Sequence, residues 1–218
     1  MRTDQLPQTP SKALIAACRV FAKTVSRLFW RIEFRGTANI PDNSSGGFII
    51  AANHQTYLDP VWISIPILRA IHYLAWDRAF RWPVVGYFIR HLGALPVRLG
   101  RGGTYGSLRA SLDVLRAGGT IMIFPEGERE IADGKLLAFK PGAVRLAATS
   151  GVPILPVTIK GGNRVWPRGS LIPRPRKVEI IYHPVFRVSD IYSEDPSSTD
   201  LRQKTDLLKA IVGRPLSD

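Results

Sequence analysis

Four short, mostly apolar runs limit the folds open to this chain more than any other feature. They occupy residues 48–52 (FIIAA), 71–76 (IHYLAW), 120–124 (TIMIF) and 153–160 (PILPVTIK). Strands buried on both faces of a parallel sheet have this composition, because neither face meets water. Segments of helical character separate the runs, and such alternation is typical of parallel sheets. The sequence therefore predicts an α/β fold with a central, mostly parallel sheet flanked by helices.

The remaining elements follow from periodicity and from the turn residues glycine and proline. A further strand is predicted over 178–183. A length of 218 residues suits one domain, so we divide the chain only into an N-terminal segment, 1–31, and a main domain, 32–218. One predicted helix begins at about Thr56. The others cover 77–91 (in two pieces), 104–117, 142–149 and 199–212.

The predicted N-terminal helix, 12–31, has a strongly basic character. Arg19, Lys23, Arg27 and Arg31 recur every four residues, which places them in one slowly drifting stripe. Apolar and aromatic side chains fill most of the other positions, and a basic amphipathic helix of this kind is typical of a membrane interface. We therefore predict an amphipathic membrane-binding segment. The alternative is an ordinary helix packed on the domain with a solvated basic face.

The charge of the chain narrows its possible partners. The formal net charge is +13 and the pI is near 10.5, so the surface carries a strong positive field. Such a field attracts nucleic acid, phospholipid headgroups or a phosphorylated substrate.

The single cysteine, Cys18, excludes a disulfide framework and a cysteine-based zinc site, and the four histidines show no metal-binding spacing. No apolar run reaches the roughly 20 residues that a spanning helix needs.

The segment after the first strand, NHQTYLD, combines a histidine with a carboxylate. Five residues rotate a helix by about 500°, so His54 and Asp59 would not share a face of a regular helix. They can meet only if His54 stands on the turn before the helix and Asp59 in its first turn. Thr56 and Asp59 have capping-box spacing, which predicts such a start. The pattern permits a His–Asp dyad that activates a hydroxyl, and it also permits a surface histidine beside a capping aspartate.

Other segments offer groups suited to an anion. Glu126, Gly127 and Arg129 follow the run TIMIF, at the strand end where α/β sheets bind ligands. Arg129 can match a phosphate with its planar fork, and Gly127 lets the backbone approach closely. Lys140 precedes a predicted helix start, and Arg98 follows the tripeptide LPV. A solvated charged turn is the alternative for these positions.

Four blocks of the sequence together resemble a known family. NHQTYLD (53–59), GALPVR (93–98), FPEGERE (124–130) and VPILPVTI (152–159) occur in this order. They are similar to the four motifs of glycerolipid acyltransferases, specifically the 1-acyl-glycerol-3-phosphate acyltransferase group. FKPGA is also similar to that family, and the resemblance spans most of the chain. The histidine–aspartate block and the Glu-Gly-x-Arg block are specific in combination, although neither is specific alone.

The resemblance implies roles for the matched residues. His54 would be the general base, oriented by Asp59, and the block VPILPVTI would help to form the wall of an acyl pocket. Arg98, Arg129 and Lys140 would bind the phosphate of the acceptor. Glu126 and Gly127 would shape the acceptor site. The full set of implied substrate-binding residues is Arg98, Glu126, Gly127, Arg129 and Lys140.

The implied activity is acyl transfer to the free hydroxyl of lysophosphatidic acid, giving phosphatidic acid in phospholipid biosynthesis. Acyl-CoA or acyl-carrier protein would be the co-substrate, with no metal or redox cofactor. The expected partners are anionic membrane phospholipids, the lysophospholipid acceptor and the acyl donor, and no nucleic acid. We expect a monotopic or peripheral protein on the cytoplasmic face of the cell membrane.

Two departures from the family pattern keep other interpretations open. Glu128 and Glu130 stand where the family usually has small hydroxyl residues, and a carboxylate beside a phosphate site repels an anion. The same chemistry on another lysolipid or on glycerol-3-phosphate is therefore an alternative. From another class, a non-catalytic basic protein that binds membranes or nucleic acid is a further alternative, although no RRM, KH or helix-turn-helix pattern appears.

Overall fold

The structure of the chain is a computed structural model, which describes residues 12–83, 86, 93–97, 103–129, 134–167, 170–188 and 198–216. The helices are α1 (Lys12–Trp30), α2 (Asp59–Ser64), α3 (Gly103–Arg116), α4 (Gly142–Ser150), α5 (Gly162–Val165) and α6 (Ser198–Gly213). The strands are β1 (Ile32–Arg35), β2 (Phe48–Ala52), β3 (Ile71–Trp76), β4 (Leu95–Val97), β5 (Thr120–Ile123), β6 (Ile154–Lys160) and β7 (Val178–Tyr182). Short 3₁₀ turns cover Thr37–Asn39, Asp77–Arg81 and Arg214–Leu216.

One sheet organises the described residues, with the strand order β1-β7-β6-β2-β5-β3-β4. Every neighbouring pair is parallel except β6 and β7. The prediction of a central, mostly parallel α/β sheet is thus confirmed. Because β2, β5 and β6 run in the same direction, their carboxyl ends meet at one edge, which we call the carboxyl edge. Since β7 is antiparallel, its first residues lie at the same edge, where Lys160 pairs with Glu179.

Side chains of β2 alternate between two cores on opposite faces of the sheet. Phe48, Ile50 and Ala52 pack with Trp62 and its neighbours on the face covered by α1 and α2. Ile49 and Ala51 face the opposite core, to which α3, α4 and α6 contribute. This period of two is expected for a strand, and burial on both faces explains why β2 is a continuous apolar run.

The structure corrects several predicted elements. Helix α2 begins at Asp59 rather than at Thr56, because the residues before it form a turn held by the Asp59 side chain. The first piece predicted over 77–91 is a 3₁₀ turn, and most of the second piece lies outside the described residues. Strands β1 and β4 were not predicted. Both are edge strands, which carry only part of the burial signal of a central strand.

Helix α1 is present as predicted, but its basic residues do not form one face. The Arg19 guanidinium turns inward and donates a hydrogen bond to the carbonyl oxygen of Ile67, whereas Lys23 and Arg27 are exposed. A step of four residues rotates a helix by about 40° beyond a full turn, so the stripe drifts from the domain toward solvent along the helix. The exposed face also carries large apolar side chains: Val20, Phe21, Leu28 and Phe29.

Candidate active site

The predicted dyad forms at the carboxyl edge, directly after β2. The Nδ1 atom of His54 lies 2.9 Å from Oδ2 of Asp59. Asp59, the first residue of α2, is fully buried, whereas 18% of the His54 side-chain surface is exposed to solvent. Since a carboxylate accepts hydrogen bonds, Nδ1 carries the proton and Nε2 is left with a free lone pair. The arrangement can therefore act as a base toward a group that reaches Nε2.

The buried carboxylate of Asp59 is saturated with donors. Its Oδ2 accepts the backbone N–H groups of Gln55 at 2.6 Å and Thr56 at 2.8 Å, in addition to the imidazole. Its Oδ1 accepts the hydroxyl of Thr56 at 2.8 Å. A buried charge is tolerable only with such compensation. One half of the expected capping box, from Asp59 back to the Thr56 N–H, is present and fixes the turn that carries His54.

Two contacts from the loop after β5 complete the setting of His54. Its ring stacks on Phe124, with centroids 4.0 Å apart and planes 18° apart. Its backbone N–H donates to Oε1 of Glu126 at 2.7 Å, and Oε2 of that residue accepts the N–H of Leu137 at 2.8 Å. Glu126 is 2% exposed. Glu126, which the resemblance implies for the acceptor site, thus accepts one backbone N–H with each carboxylate oxygen. It joins the turn that carries His54 to the loop after β5.

The implied phosphate-binding residues surround this turn to differing extents. Gly127 has φ +75°, and a Cβ there would overlap the Nζ of Lys140, so the lysine side chain crosses directly over the glycine. The Arg129 guanidinium lies over the ring of Tyr57, with Cζ 3.6 Å from the centroid. The structure therefore places Arg129 against the His54 turn and Lys140 against the loop after β5. Arg98 and Glu130 lie outside the described residues, and Glu128 is exposed.

Two amide side chains beside His54 were not singled out from the sequence. The Nδ2 of Asn53 donates to the Ile159 carbonyl at 2.9 Å, while its Oδ1 accepts the Ile159 N–H at 2.7 Å. Oε1 of Gln55 accepts the N–H groups of Gly162 at 2.8 Å and Asn163 at 3.3 Å. Both amides are buried and tie the NHQTYLD turn to β6 and α5. A possible signal was the presence of two amides directly after a continuous apolar strand.

The described ranges contain no three His, Cys, Asp or Glu side chains grouped so that they could hold a metal ion. Within those ranges there is also no helix long and apolar enough to cross a membrane. Block VPILPVTI forms most of β6, where its residues Ile154–Ile159 are buried, and the first four of these pair with β2.

Comparison with known proteins adds an independent observation. The family model described as Acyltransferase matches residues 31–160. Chloroplast proteins of Brassica napus and Arabidopsis thaliana, both named 1-acyl-sn-glycerol-3-phosphate acyltransferase, are 29% identical to the chain over 143 residues. The matched segment is 65% of this chain but only 41% and 39% of those relatives, so the chain spans about two fifths of their length.

Two bacterial proteins are similar over a larger share of their own length. A Bacillus subtilis protein of the same name is 28% identical over 158 residues, which is 71% of this chain and 76% of that protein. The crystal structure of the 1-acyl-sn-glycerophosphate (LPA) acyltransferase of Thermotoga maritima superposes with a TM-score of 0.77 and 28% identity. That superposition covers 94% of this chain and 79% of the Thermotoga chain.

Proposed function

This chain belongs to the acyltransferase family, and we propose that it transfers a fatty acyl group from a thioester donor to the free hydroxyl of lysophosphatidic acid. The product would be phosphatidic acid, as in phospholipid synthesis. The observation that carries the proposal is the His54–Asp59 contact of 2.9 Å, in which a saturated, buried carboxylate orients a partly exposed imidazole. The names of the relatives support lysophosphatidic acid as the acceptor.

In the proposed reaction, Nε2 of His54 removes the proton of the acceptor hydroxyl while the hydroxyl oxygen attacks the thioester carbonyl carbon. The tetrahedral intermediate then collapses, the C–S bond breaks, and the imidazolium returns the proton to the departing thiolate. Asp59 holds the Nδ1–H tautomer and stabilises the imidazolium between these steps. The proton count closes within the dyad and no atom changes its oxidation state, so the proposed reaction is written without a metal or redox cofactor. Acyl-CoA and acyl-carrier protein both satisfy this chemistry.

The acceptor phosphate would bind beside the loop after β5. Arg129 offers the edge of its guanidinium while Tyr57 covers one face, which orients the remaining N–H groups. Lys140 adds a second positive charge above Gly127. Arg98 would complete the set, as the family resemblance implies. Loss of Arg129 would therefore raise the KM for the acceptor more than it lowers kcat.

One specific observation favours a second acceptor. Glu128 lies exposed between Gly127 and Arg129, where its carboxylate repels an anion approaching the same loop. A lysolipid whose headgroup carries a cation would find that carboxylate favourable. The chemistry at His54 would be unchanged, and only the acceptor would differ.

Helix α1 would hold the enzyme peripherally on an anionic membrane, on its cytoplasmic face. The exposed side of α1 combines Phe21 and Leu28, which are 71% and 75% exposed, with the basic side chains of Lys23 and Arg27. Apolar side chains flanked by cations suit the boundary between lipid headgroups and acyl chains. The lysolipid acceptor resides in that same layer.

The test is a product assay with purified protein, acyl-CoA or acyl-carrier protein, and a panel of lysophospholipids and glycerol-3-phosphate, with products read by mass spectrometry. Phosphatidic acid from the wild type and from a His183→Gln control, but below about 1% of that rate from His54→Ala, supports the proposal. Residual activity above a few per cent in folded His54→Ala would refute the base. A different acylated product would replace the acceptor and retain the mechanism.

A further inference from the structure

A basic cavity of about 310 Å³ opens beside the His54 turn, at the carboxyl edge of the sheet. Its lining includes Gln55, Lys160, Asn163, Arg164, Lys177 and Glu179. The end of β6 and the beginning of β7 form its floor, because Lys160 and Glu179 are partners in that antiparallel pair. None of its cations is among the residues that the family resemblance implies for the acceptor.

The charges around the basic cavity do not balance. Lys177 is paired with Glu33 at 2.8 Å, and Glu179 is paired with Arg35 at 2.7 Å. In the described part of the chain, Lys160 and Arg164 lie in no such ion pair. The ammonium of Lys160 donates to the carbonyl oxygen of Pro215 at 2.8 Å, which engages one of its three N–H groups. As far as the described residues go, the cavity therefore presents two positive charges that have no ion-pair partner.

The basic cavity shares a wall with the candidate active site. Gln55 follows His54 directly, is 3% exposed and lines the cavity. Its Oε1 is occupied by the N–H groups of Gly162 and Asn163, so its amide nitrogen is the remaining polar group. Consecutive Cα atoms lie about 3.8 Å apart, so the cavity wall and the residue that carries the imidazole are direct neighbours in the chain. A ligand in the cavity therefore lies beside the turn that carries His54.

We propose that the basic cavity binds the phosphate of the acyl donor's phosphopantetheine arm. This inference rests on the proposed function, in which a thioester donor and a phosphorylated acceptor meet at His54. The acceptor phosphate is assigned to Arg129 and Lys140, on the loop after β5, so the donor needs a separate anion site. Acyl-CoA and acyl-carrier protein share the phosphopantetheine phosphate, and an extended pantetheine arm leads from that phosphate to the thioester. Lys160 and Arg164 supply the charge that the phosphate requires.

The experiment measures binding by titration calorimetry, independently of turnover. The probes are CoA, 4′-phosphopantetheine and pantetheine, which lacks the phosphate. The test variant is Lys160→Gln/Arg164→Gln, and the control is Arg109→Gln/Arg116→Gln, which removes the same charge from the exposed face of α3. The single variant Arg164→Gln is measured as well, because this exposed side chain takes no part in the Lys160–Pro215 contact and its loss should leave the fold intact.

For CoA and phosphopantetheine, the Kd should rise about tenfold in the double variant and severalfold in Arg164→Gln, while pantetheine binding stays unchanged. The α3 control should stay within about twofold of the wild type. Equal losses in the control, or a loss for CoA without one for phosphopantetheine, overturn the proposal. So does wild-type protein that binds phosphopantetheine no better than pantetheine. Specific phosphate binding without acylation of lysophosphatidic acid would sustain this inference and refute that acceptor.

Discussion

The backbone N–H of His54 donates to Oε1 of Glu126 at 2.7 Å across a separation of 72 residues. The second oxygen of Glu126 accepts the N–H of Leu137, so one buried carboxylate joins the turn after β2 to the loop after β5. His54 is thereby held from two directions, through its ring by Asp59 and through its backbone by Glu126. The position of the imidazole depends on both carboxylates.

Glu126→Gln should therefore disturb the site as well as the fold. An amide keeps one acceptor oxygen and turns its NH₂ toward a backbone N–H, which is left without an acceptor at a cost of about 1–3 kcal/mol. We expect a loss of stability of that size in urea unfolding and a kcat at least tenfold lower, with a smaller change in KM. The exposed neighbour provides the control, since Glu128→Gln should leave stability unchanged. Equal stabilities for the two variants would contradict the role assigned to Glu126.

Asp59→Asn should reduce kcat by about 10³-fold, because a neutral amide no longer stabilises the imidazolium that His54 forms during the reaction. Three N–H donors meet Oδ2, so the asparagine oxygen takes that position and its NH₂ faces the Thr56 hydroxyl, which can accept. Steady-state kinetics measure the loss, and urea unfolding shows whether the fold is retained. Asp113→Asn, on the exposed side of α3, is the matched control. A kcat within tenfold of the wild type would argue against the dyad.

Comparing Gly127→Ala with Gly118→Ala separates the effect of backbone strain from the effect of displacing the Lys140 side chain. Both glycines have positive φ, +75° and +78°, so each alanine should cost about 1–2 kcal/mol of stability. At Gly118 an added Cβ meets nothing within 4 Å, whereas at Gly127 it displaces the end of Lys140. We expect similar unfolding free energies and a severalfold higher acceptor KM for Gly127→Ala alone. If the two variants shared one KM, Lys140 would have no part in binding the acceptor.

Phe21→Ser/Leu28→Ser should weaken binding to vesicles that contain anionic phospholipid. Each side chain offers about 1.5–3 kcal/mol when fully buried, so partial insertion of both predicts a roughly tenfold lower partition coefficient. The control Val185→Ser/Leu207→Ser removes two other exposed apolar side chains, 40% and 43% exposed, away from α1. Vesicle flotation measures both. Equal retention of the two variants on vesicles would remove the membrane role from α1.

His183 should make folding sensitive to mild acid. Burial lowers its pKa, and its Nε2–H donates to Thr158, whose hydroxyl is committed to the Val212 carbonyl at 2.6 Å. The unfolded chain takes up the proton at a higher pH than the folded chain. The contribution of neutral His183 to the free energy of unfolding is therefore fully present above the ordinary pKa of 6.5, and it is lost as the pH drops below that value.

Urea unfolding at about pH 8 and about pH 5.5 measures this dependence. The loss of stability between those two values should be smaller for His183→Gln than for the wild type. Identical losses in the two proteins would show that other groups cause the acid sensitivity.

Local sequence was sufficient to predict a strand where every residue of that strand is buried. The central strands β2, β5 and β6 are buried on both faces, so each is a continuous apolar run whose limits were predicted within one residue. The edge strands β1 and β4 were missed. β1 alternates partly buried and exposed residues, and β4 has only three residues, one of them proline. Pairing on a single side leaves too weak a pattern to distinguish from a loop.

By itself the sequence determined the sheet class and the one way in which His54 and Asp59 could meet, because the two residues and their turn lie within one seven-residue block. Tertiary structure alone decided what surrounds them. Glu126 reaches His54 and Gln55 reaches Gly162 across 72 and 107 residues, and the basic cavity forms only where β6 meets β7. Hydrophobic periodicity reports which face of an element is buried, whereas these contacts depend on which elements the folded sheet makes neighbours.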